Sequence, residues 1–192
     1  MKRFFISLLC ITFMLVGCGA SKNTQLDLAA MRCDNGEYQY QDILWGSSTE
    51  NVSKQLGITM ASQSLQYPDG SLEYGIEGTY QYGDLPVKAS FIFYEDQLYE
   101  IDFLLYPSAS AQETFDEISS QLMDIYGKQE VITSDKNVEG FDIMIHSSLC
   151  SWEQLADDYK TGLSILLTEQ DNIQDSVRIS VVSEKFSPRY KN

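Results

Sequence analysis

Histidine and basic residues are scarce in this 192-residue chain, and each scarcity removes a class of function. His146 is the only histidine, which excludes a zinc site built from several imidazoles. Lysine and arginine together number 13 against 28 acidic residues, so the formal net charge is −15 at pH 7. Because such a surface repels phosphates and anionic headgroups, we expect no nucleic-acid partner and no electrostatic adhesion to membranes.

Sequence motifs of catalysis are also missing. The chain contains no phosphate-binding G-x-x-x-x-G-K-[ST] loop, no G-x-G-x-x-G, no G-x-S-x-G and no H-E-x-x-H. Acidic groups occur at Glu95-Asp96, at Asp157-Asp158 and between Glu169 and Asp175, but none has the glycine and the terminal glutamate of a calcium loop. We interpret them as solvated loops, and we predict neither an enzyme nor a metal site.

The single histidine allows two interpretations. His146 falls inside an expected strand, where a functional role would make it a general base or a metal ligand. Without a second imidazole to share a metal, we favour an ordinary sheet histidine beside Ser148. Cys150 has the same strand parity as His146, but residues four apart on a strand are about 13 Å apart. This distance excludes a cysteine–histidine nucleophile pair.

The main apolar run lies at the start of the chain. Met1-Lys2-Arg3 precedes a stretch of about a dozen mostly apolar residues that ends at Val16. A basic start followed by a run too short to cross a bilayer comfortably is typical of a secretory signal peptide. A buried core helix or an uncleaved anchor is the alternative.

A cysteine follows this run directly. The stretch Leu15-Val16-Gly17-Cys18 resembles the lipobox of bacterial lipoproteins, in which the signal is cut before the cysteine and the thiol receives a diacylglycerol. The resemblance implies a signal peptide over residues 1–17 and lipid attachment at Cys18, with no other cofactor. It also implies an extracytoplasmic location on the cell membrane or the outer membrane, since two acyl chains hold a protein firmly at a bilayer. A tether over residues 18–36 is expected to follow.

Two cysteines remain after this assignment. Cys10 would leave with the signal peptide and Cys18 would carry lipid, which leaves Cys33 and Cys150 in the mature chain. Disulfides persist in exported proteins, so a bridge between these two is one reading, and two unpaired thiols are the other.

Two helices have marked beginnings and ends. Ser47 stands three residues before Glu50, the spacing of a capping box, and Gly57 predicts the end of that helix. Ser110 and Glu113 repeat the spacing before a longer helix, predicted over residues 111–126. Its apolar stripe consists of Phe115, Ile118, Leu122 and Ile125.

Alternating apolar and polar residues predict strands after each helix. Residues 87–106 favour a hairpin around Glu95-Asp96-Gln97, flanked by a strand at 73–82 and followed later by strands at 142–152, 161–169 and 175–183. The predicted hairpin register pairs Tyr94 with Leu98, Phe93 with Tyr99, Phe91 with Ile101, Ala89 with Phe103 and Val87 with Leu105. A slip of one residue would pair apolar with polar positions.

The order of elements predicts the fold class. A helix and three strands occur twice, so we expect an α+β fold with two halves, residues 37–107 and 108–192, and helices on one face of antiparallel meanders. The stretches "DILWGSSTENVSKQLG" and "YEDQLYEIDF" make the domain weakly similar to small lipoproteins of the outer-membrane assembly type and to the β-lactamase inhibitor protein. The similarity concerns the fold and names no site.

The sheet face away from the helices is the candidate partner surface. In the predicted register it carries an acidic centre at Glu100 and Asp102 with large apolar residues at both ends, namely Ile92, Tyr94, Leu98, Leu104 and Tyr106. Exposed apolar patches usually contact a partner, although the sheet of the second half or the tether could cover this face.

Three functions are compatible with the sequence. We expect a lipid-anchored, non-catalytic envelope protein that binds or assembles with an unknown envelope protein or ligand. The alternatives are an inhibitor of a secreted enzyme and an envelope hydrolase that uses carboxylates.

Overall fold

The computed structural model describes residues 24–60, 65–138, 143–156, 158–171 and 173–190, with only the backbone described at 77–79 and 138. The predicted signal peptide, Cys18 and the first part of the predicted tether lie outside these residues. Two helices occur in the described part, α1 (Thr49–Leu56) and α2 (Ala111–Tyr126). The strands are β1 (Thr24–Gln25), β2 (Leu65–Gln66), β3 (Leu72–Tyr82), β4 (Leu85–Tyr94), β5 (Gln97–Leu105), β6 (Ile132–Val138), β7 (Ile143–Ala156), β8 (Tyr159–Gln170) and β9 (Ser176–Ser183).

All these strands form one sheet in the order β1-β3-β4-β5-β9-β8-β7-β6, and β2 also pairs with β3. Every pair is antiparallel except β1 with β3. The two meanders meet through their last strands, β5 and β9, where Phe103 pairs with Ile179. The fold is therefore α+β, with a large, mostly antiparallel sheet and two helices.

One face of the sheet packs against both helices. Val52 of α1 and the α2 residues Phe115, Ile118 and Leu122 belong to a single buried cluster with side chains of β4, β5, β8 and β9. Ile125 was predicted in the same stripe, but it is 45 % exposed, whereas Met123 and Tyr126 of the same turn pack against the cluster. In the described part of the chain, no helix has the length and hydropathy needed to span a membrane.

The bounds of α2 are as predicted. Ser110 caps its first turn, with Oγ accepting a hydrogen bond from Glu113 N at 3.1 Å. Gly127 ends the helix, and its amide donates to Met123 O at 3.0 Å. The local chemistry of capping is sufficient to define this helix.

The cap of α1 differs from the prediction by one residue. Ser48, and not Ser47, is the N-cap, and its Oγ accepts from Asn51 N. Ser47 instead accepts a backbone hydrogen bond from Leu98 N at 2.9 Å, which fixes it in the loop. Asp96 Oδ1 accepts from Thr49 N at 3.0 Å, so the β4–β5 turn supplies a second acceptor to the helix start.

The β4–β5 register is as predicted from Val87 with Leu105 to Ile92 with Glu100. Nearer the turn it is wrong, because Phe93 pairs with Leu98 and Tyr94 with Gln97. The connecting turn contains only Glu95 and Asp96, both with positive φ (51° and 57°), instead of three residues. This shorter turn leaves Tyr99 as the extra residue of a β-bulge.

Part of the predicted tether belongs to the folded domain. Residues 24–36 include β1 and a 3-10 turn at Leu28–Met31, and Leu28 and Met31 are buried. The hydroxyl of Tyr126 in α2 donates to Leu28 O at 2.6 Å. Leu28 and Met31, three residues apart, pack this turn into the core beside α2. A solvated tether would leave both side chains exposed.

Three strands have no counterpart in the prediction. The short strands β1 and β2 pair with β3, and β6 forms the far edge of the sheet beside β7. All described side chains of β6 are exposed, so its sequence, "ITSDKNV", has no apolar face to produce a periodic signal. The second half therefore has four strands where three were predicted.

Candidate functional site

The predicted partner residues do not form one exposed surface. Leu98 is fully buried in the cluster that packs against the helices, because the bulge at Tyr99 turns it to that face. Ile92 lies on the other face but is only 1 % exposed. Tyr94 and Leu104 are half-buried, and Tyr106 is 46 % exposed.

Two segments approach the face away from the helices near Ile92. The loop that precedes β3 brings Ser71 to Tyr99, whose hydroxyl donates to Ser71 Oγ at 3.1 Å. The C-terminal segment, residues 184–190, ends in a 3-10 turn at Pro188–Tyr190 and reaches the same region. This face is therefore covered at the β4–β5 turn end by the loop before β3 and by the C-terminal segment, neither of which is the second-half sheet or the tether that the sequence offered as a cover.

A buried group of carboxylates lies beneath these segments. It comprises half-buried Glu73 on β3 and buried Glu100 and Asp102 on β5, the two strands that flank β4, and we call it the acidic cluster. Glu73 accepts hydrogen bonds from Ser90 Oγ and from the Tyr67 hydroxyl, each at 2.7 Å. Glu100 and Asp102 are only 8 % and 7 % exposed.

Hydroxyl and guanidinium groups offset part of this buried charge. Ser180 Oγ donates to Asp102 Oδ1 at 2.6 Å, and Arg178 Nη1 lies 3.8 Å from the other oxygen of that carboxylate. Arg189 Nη1 lies 3.3 Å from Glu100 Oε2. Within the described residues, Glu100 Oε2 nevertheless has no hydrogen-bond partner. Arg189 is thus within ion-pair distance of Glu100 without being aligned to donate to it.

Burial is the largest influence on the pKa of the two β5 carboxyls, Glu100 and Asp102. Loss of solvent, together with the nearby charges of Asp102 and Glu73, raises the pKa of Glu100 to about 7, against Arg189 and Arg178, which lower it. Burial likewise raises the pKa of Asp102, against the Ser180 hydrogen bond and Arg178, which lower it. The folded chain therefore holds protons on Glu100 and Asp102 more tightly than it would on exposed carboxyls.

The same sheet face is open in the second half of the chain. In β8 and β9, buried residues alternate with half-buried or exposed ones, so only the helix-facing side of these strands is covered. One register row across this open region contains Leu104, Arg178, Leu166, Leu149 and Ile132. The three leucines are half-buried and Ile132 is 61 % exposed.

His146 is a sheet histidine in an ion pair. It pairs with Asp135 across β6 and β7, and its Nδ1 lies 2.8 Å from Asp135 Oδ1. The predicted neighbour Ser148 lies two residues further along β7, on the same side of the strand. Both members of the pair are exposed, so the contact is open to solvent and gives no indication of catalysis.

As the only histidine, His146 gives an unambiguous test of this hairpin. We expect NMR titration of its ring to give a pKa above the ordinary value of 6.5, because Asp135 stabilises the charged ring. Asp135→Asn should lower that pKa, whereas the exposed control Glu130→Gln should leave it unchanged. An identical pKa in wild type and Asp135→Asn would contradict the β6–β7 pairing.

Cys33 and Cys150 are free thiols in the structure. Cys33 Sγ donates to Asn35 Oδ1 at 2.8 Å in the loop after the 3-10 turn. Cys150 is buried in β7, where it belongs to the cluster beneath the helices. Burial raises the pKa of both thiols, so neither has the depressed pKa of a reactive cysteine.

Two cavities among the described residues are lined by no member of the acidic cluster. One, of about 220 Å³, is lined by residues 30–42, including Arg32 and Cys33. Another, of about 270 Å³, lies between Tyr159 and the C-terminal segment. Among the residues that the structure describes, no three histidine, cysteine or acidic side chains are arranged to hold a metal ion.

The chain matches no protein-family model, and no curated protein or solved structure resembles it at a significant level. Sequence reasoning placed Glu100 and Asp102 at the centre of the face away from the helices, but it missed Arg189 and the bulge at Tyr99. The sequence signal that could have indicated the bulge was Asp96, because aspartate is common in tight hairpin turns. In the structure Glu95 and Asp96 both have positive φ and form a two-residue turn, which changes the register of the strand that follows.

Proposed function

We propose that this chain is an exported, lipid-anchored protein of the cell envelope with a non-catalytic role in binding or assembly. The observation that carries the proposal is the stretch Leu15-Val16-Gly17-Cys18 after a basic start and a short apolar run. The anchor would attach the protein to the membrane, and the folded domain would contact an envelope protein or ligand.

The open part of the sheet supports a binding role. Leu166 and Leu149 are neighbours in one row on the face away from the helices, and Ile132 extends the row to the sheet edge. Arg178 separates them from Leu104 in the same row. Leaving large aliphatic side chains in contact with water is unfavourable, and contiguous patches of this kind usually mark contact surfaces.

The contacts of the acidic cluster support a non-catalytic role. Its carboxylates are engaged by Ser90, Tyr67, Ser180 and arginine side chains, and Glu100 and Asp102 are almost fully removed from solvent. A hydrolase that used these groups would need them to face a substrate.

We also propose that the two halves are copies of one unit of helix and antiparallel meander. The adjacent, antiparallel position of β5 and β9 at the centre of the sheet supports this, because each is the last strand of its half. A helix also precedes the strands of each half.

The anchor is tested by substituting Cys18. We expect Cys18→Ser to abolish incorporation of a labelled fatty acid and to shift the protein from the membrane fraction to the soluble fraction, because the thiol is the proposed lipid acceptor. The matched control is Cys10→Ser, which removes a thiol from the predicted signal peptide and should change neither result. Retention of the label, or of membrane binding after a high-salt wash, in Cys18→Ser would refute the anchor.

A further inference from the structure

Arg189 lies over a site formed by two consecutive residues of β5. Its Nη1 is 3.3 Å from Glu100 Oε2, and its guanidinium carbon is 6.0 Å from the centre of the Tyr99 ring. The side chain of Glu100 is 10 % exposed and that of Arg189 is 51 % exposed. The carboxylate and the ring are thus the buried, fixed part of the contact, and the guanidinium is the outer part.

Arg189 does not satisfy the hydrogen-bonding capacity of the buried Glu100 carboxylate. Within the described residues no group donates a hydrogen bond to Glu100 Oε2, although that atom is buried. Leaving a buried carboxylate oxygen without a donor is costly, and a guanidinium aligned for a paired hydrogen bond would remove that cost.

The surroundings of Glu100 carry an excess of negative charge. Glu73 and Asp102 lie in the same acidic cluster, and the charge of Asp69 also acts on Arg189. The nearby cations are Arg178, beside Asp102, and Arg189 itself. The charge balance therefore favours a cationic ligand at this position.

The segment that carries Arg189 lies outside the sheet ladder. Just after β9, Glu184 N donates a backbone hydrogen bond to Lys160 O in β8. Further along, the final turn is closed by a hydrogen bond from Tyr190 N to Ser187 O. The ring of Phe186 packs so close to Gly46 that an added Cβ would lie 2.7 Å from it. Phe186 thus holds the start of the segment, and Arg189 can leave Glu100 without a break in any strand pairing.

We propose that Tyr99 and Glu100 form a binding site for an arginine side chain of a basic partner protein, and that Arg189 occupies this site in the free chain. The assignment rests on the binding role proposed above and names the chemistry of the partner. Aromatic ring and carboxylate together favour a planar guanidinium over an ammonium ion, because the guanidinium can stack and hydrogen-bond at once. Partner binding would then exchange one guanidinium for another.

Chemical rescue of an arginine deletion tests the site in the full chain in mild detergent at pH 8. We expect Arg189→Ala to lower the thermal unfolding midpoint, and we expect millimolar ethylguanidinium to restore at least half of that loss in a saturable way. Wild type should show no such increase, because Arg189 already fills the site. Arg189→Gln provides a second variant, with a polar side chain of similar reach, in which the same rescue is expected.

Three controls separate binding at Glu100 from general effects of the salt. Arg189→Ala with Glu100→Gln should show no rescue, since the carboxylate is absent. Arg32→Ala is the matched control, because Arg32 also lies over an aromatic ring, that of Tyr38 at 5.6 Å, but it donates hydrogen bonds to Gly36 O and Gln154 Oε1. Sodium chloride and ethylammonium chloride at the same concentration should have no saturable effect.

The site is refuted if ethylguanidinium fails to raise the midpoint of both Arg189 variants above the sodium chloride control. Equal rescue by ethylammonium, or of Arg32→Ala, would refute a site specific for guanidinium. The rescue experiment tests the arginine site independently of the lipid anchor. If rescue succeeds while Cys18→Ser stays in the membrane fraction, only the lipid attachment is overturned. Failure of rescue with release of Cys18→Ser would overturn the arginine site alone.

Discussion

We expect Leu122→Asp to unfold the domain and Ile125→Asp, three residues further along the same helix, to leave it folded. Leu122 is fully buried against the sheet, whereas Ile125 is 45 % exposed. Burying a carboxylate without a partner costs several kcal/mol, in addition to the lost packing of the leucine. A total stability of about 5–15 kcal/mol is typical of such domains, so this one change removes much of it.

Circular dichroism during heating measures this difference directly. Leu122→Asp should show no cooperative transition or one lowered by well over 10 °C, given roughly 2–4 °C per kcal/mol for a domain of this size. Phe115→Asp, at another buried position of the helix, should behave in the same way. A transition of Leu122→Asp close to that of Ile125→Asp would contradict the packing of α2 on β8 and β9.

Local signals in the sequence were sufficient where one element defines its own limits. The bounds of α2 follow from Ser110, an apolar stripe and Gly127, all within one stretch of the chain. The central β4–β5 register also followed from the sequence, since a one-residue slip from Val87 with Leu105 would have buried Asp102 in the helix-facing cluster.

Local signals were not sufficient where two neighbouring residues are equally suited to a position and contacts with a distant segment determine which one occupies it. Ser47 and Ser48 are both good caps, and pairing of Leu98 N with Ser47 O selects the second. In the hairpin, Leu98 and Tyr99 are adjacent and both apolar, so alternation alone could not show which of them faces the helices.

The candidate site could be predicted only in part because it is assembled from remote parts of the chain. Glu100 and Asp102 are two residues apart on β5, and alternation placed both on the face away from the helices. Tyr67, Ser180 and Arg189, which contact the acidic cluster, come from three other segments. Their approach depends on the order of strands in the sheet and on the course of the C-terminal segment after β9.

The buried charge of Glu100 should make the domain less stable as the pH rises towards 8. The pKa of this carboxyl is raised in the folded chain from 4.5 to about 7 by burial and by Asp102. Between these two values the folded chain binds a proton that the unfolded chain has lost, so stability falls as the pH rises through this window. At about 1.4 kcal/mol for each pKa unit, the loss is on the order of 3 kcal/mol by pH 8.

Glu100→Gln removes this titration while keeping the shape of the side chain. We expect the variant to be more stable than wild type at pH 8 by on the order of 2–3 kcal/mol, and similar to wild type near pH 4.5, where the wild-type carboxyl is neutral when folded. Loss of the contact with Arg189 reduces the gain only slightly, because that arginine is half exposed. Urea unfolding at a series of pH values gives the free energy of unfolding for each protein.

Repulsion among the other acidic residues also lowers the free energy of unfolding of an acidic chain as the pH rises. The slope of this free energy against pH in Glu100→Gln must therefore be compared with the slope in a matched variant. Glu130→Gln removes one exposed carboxyl and the same formal charge. Its stability should follow that of wild type between pH 4.5 and 8, because the Glu130 side chain stays in solvent in the folded chain. If Glu100→Gln and Glu130→Gln show the same slope as wild type, Glu100 does not hold its proton in the folded chain and the acidic cluster is not buried as described.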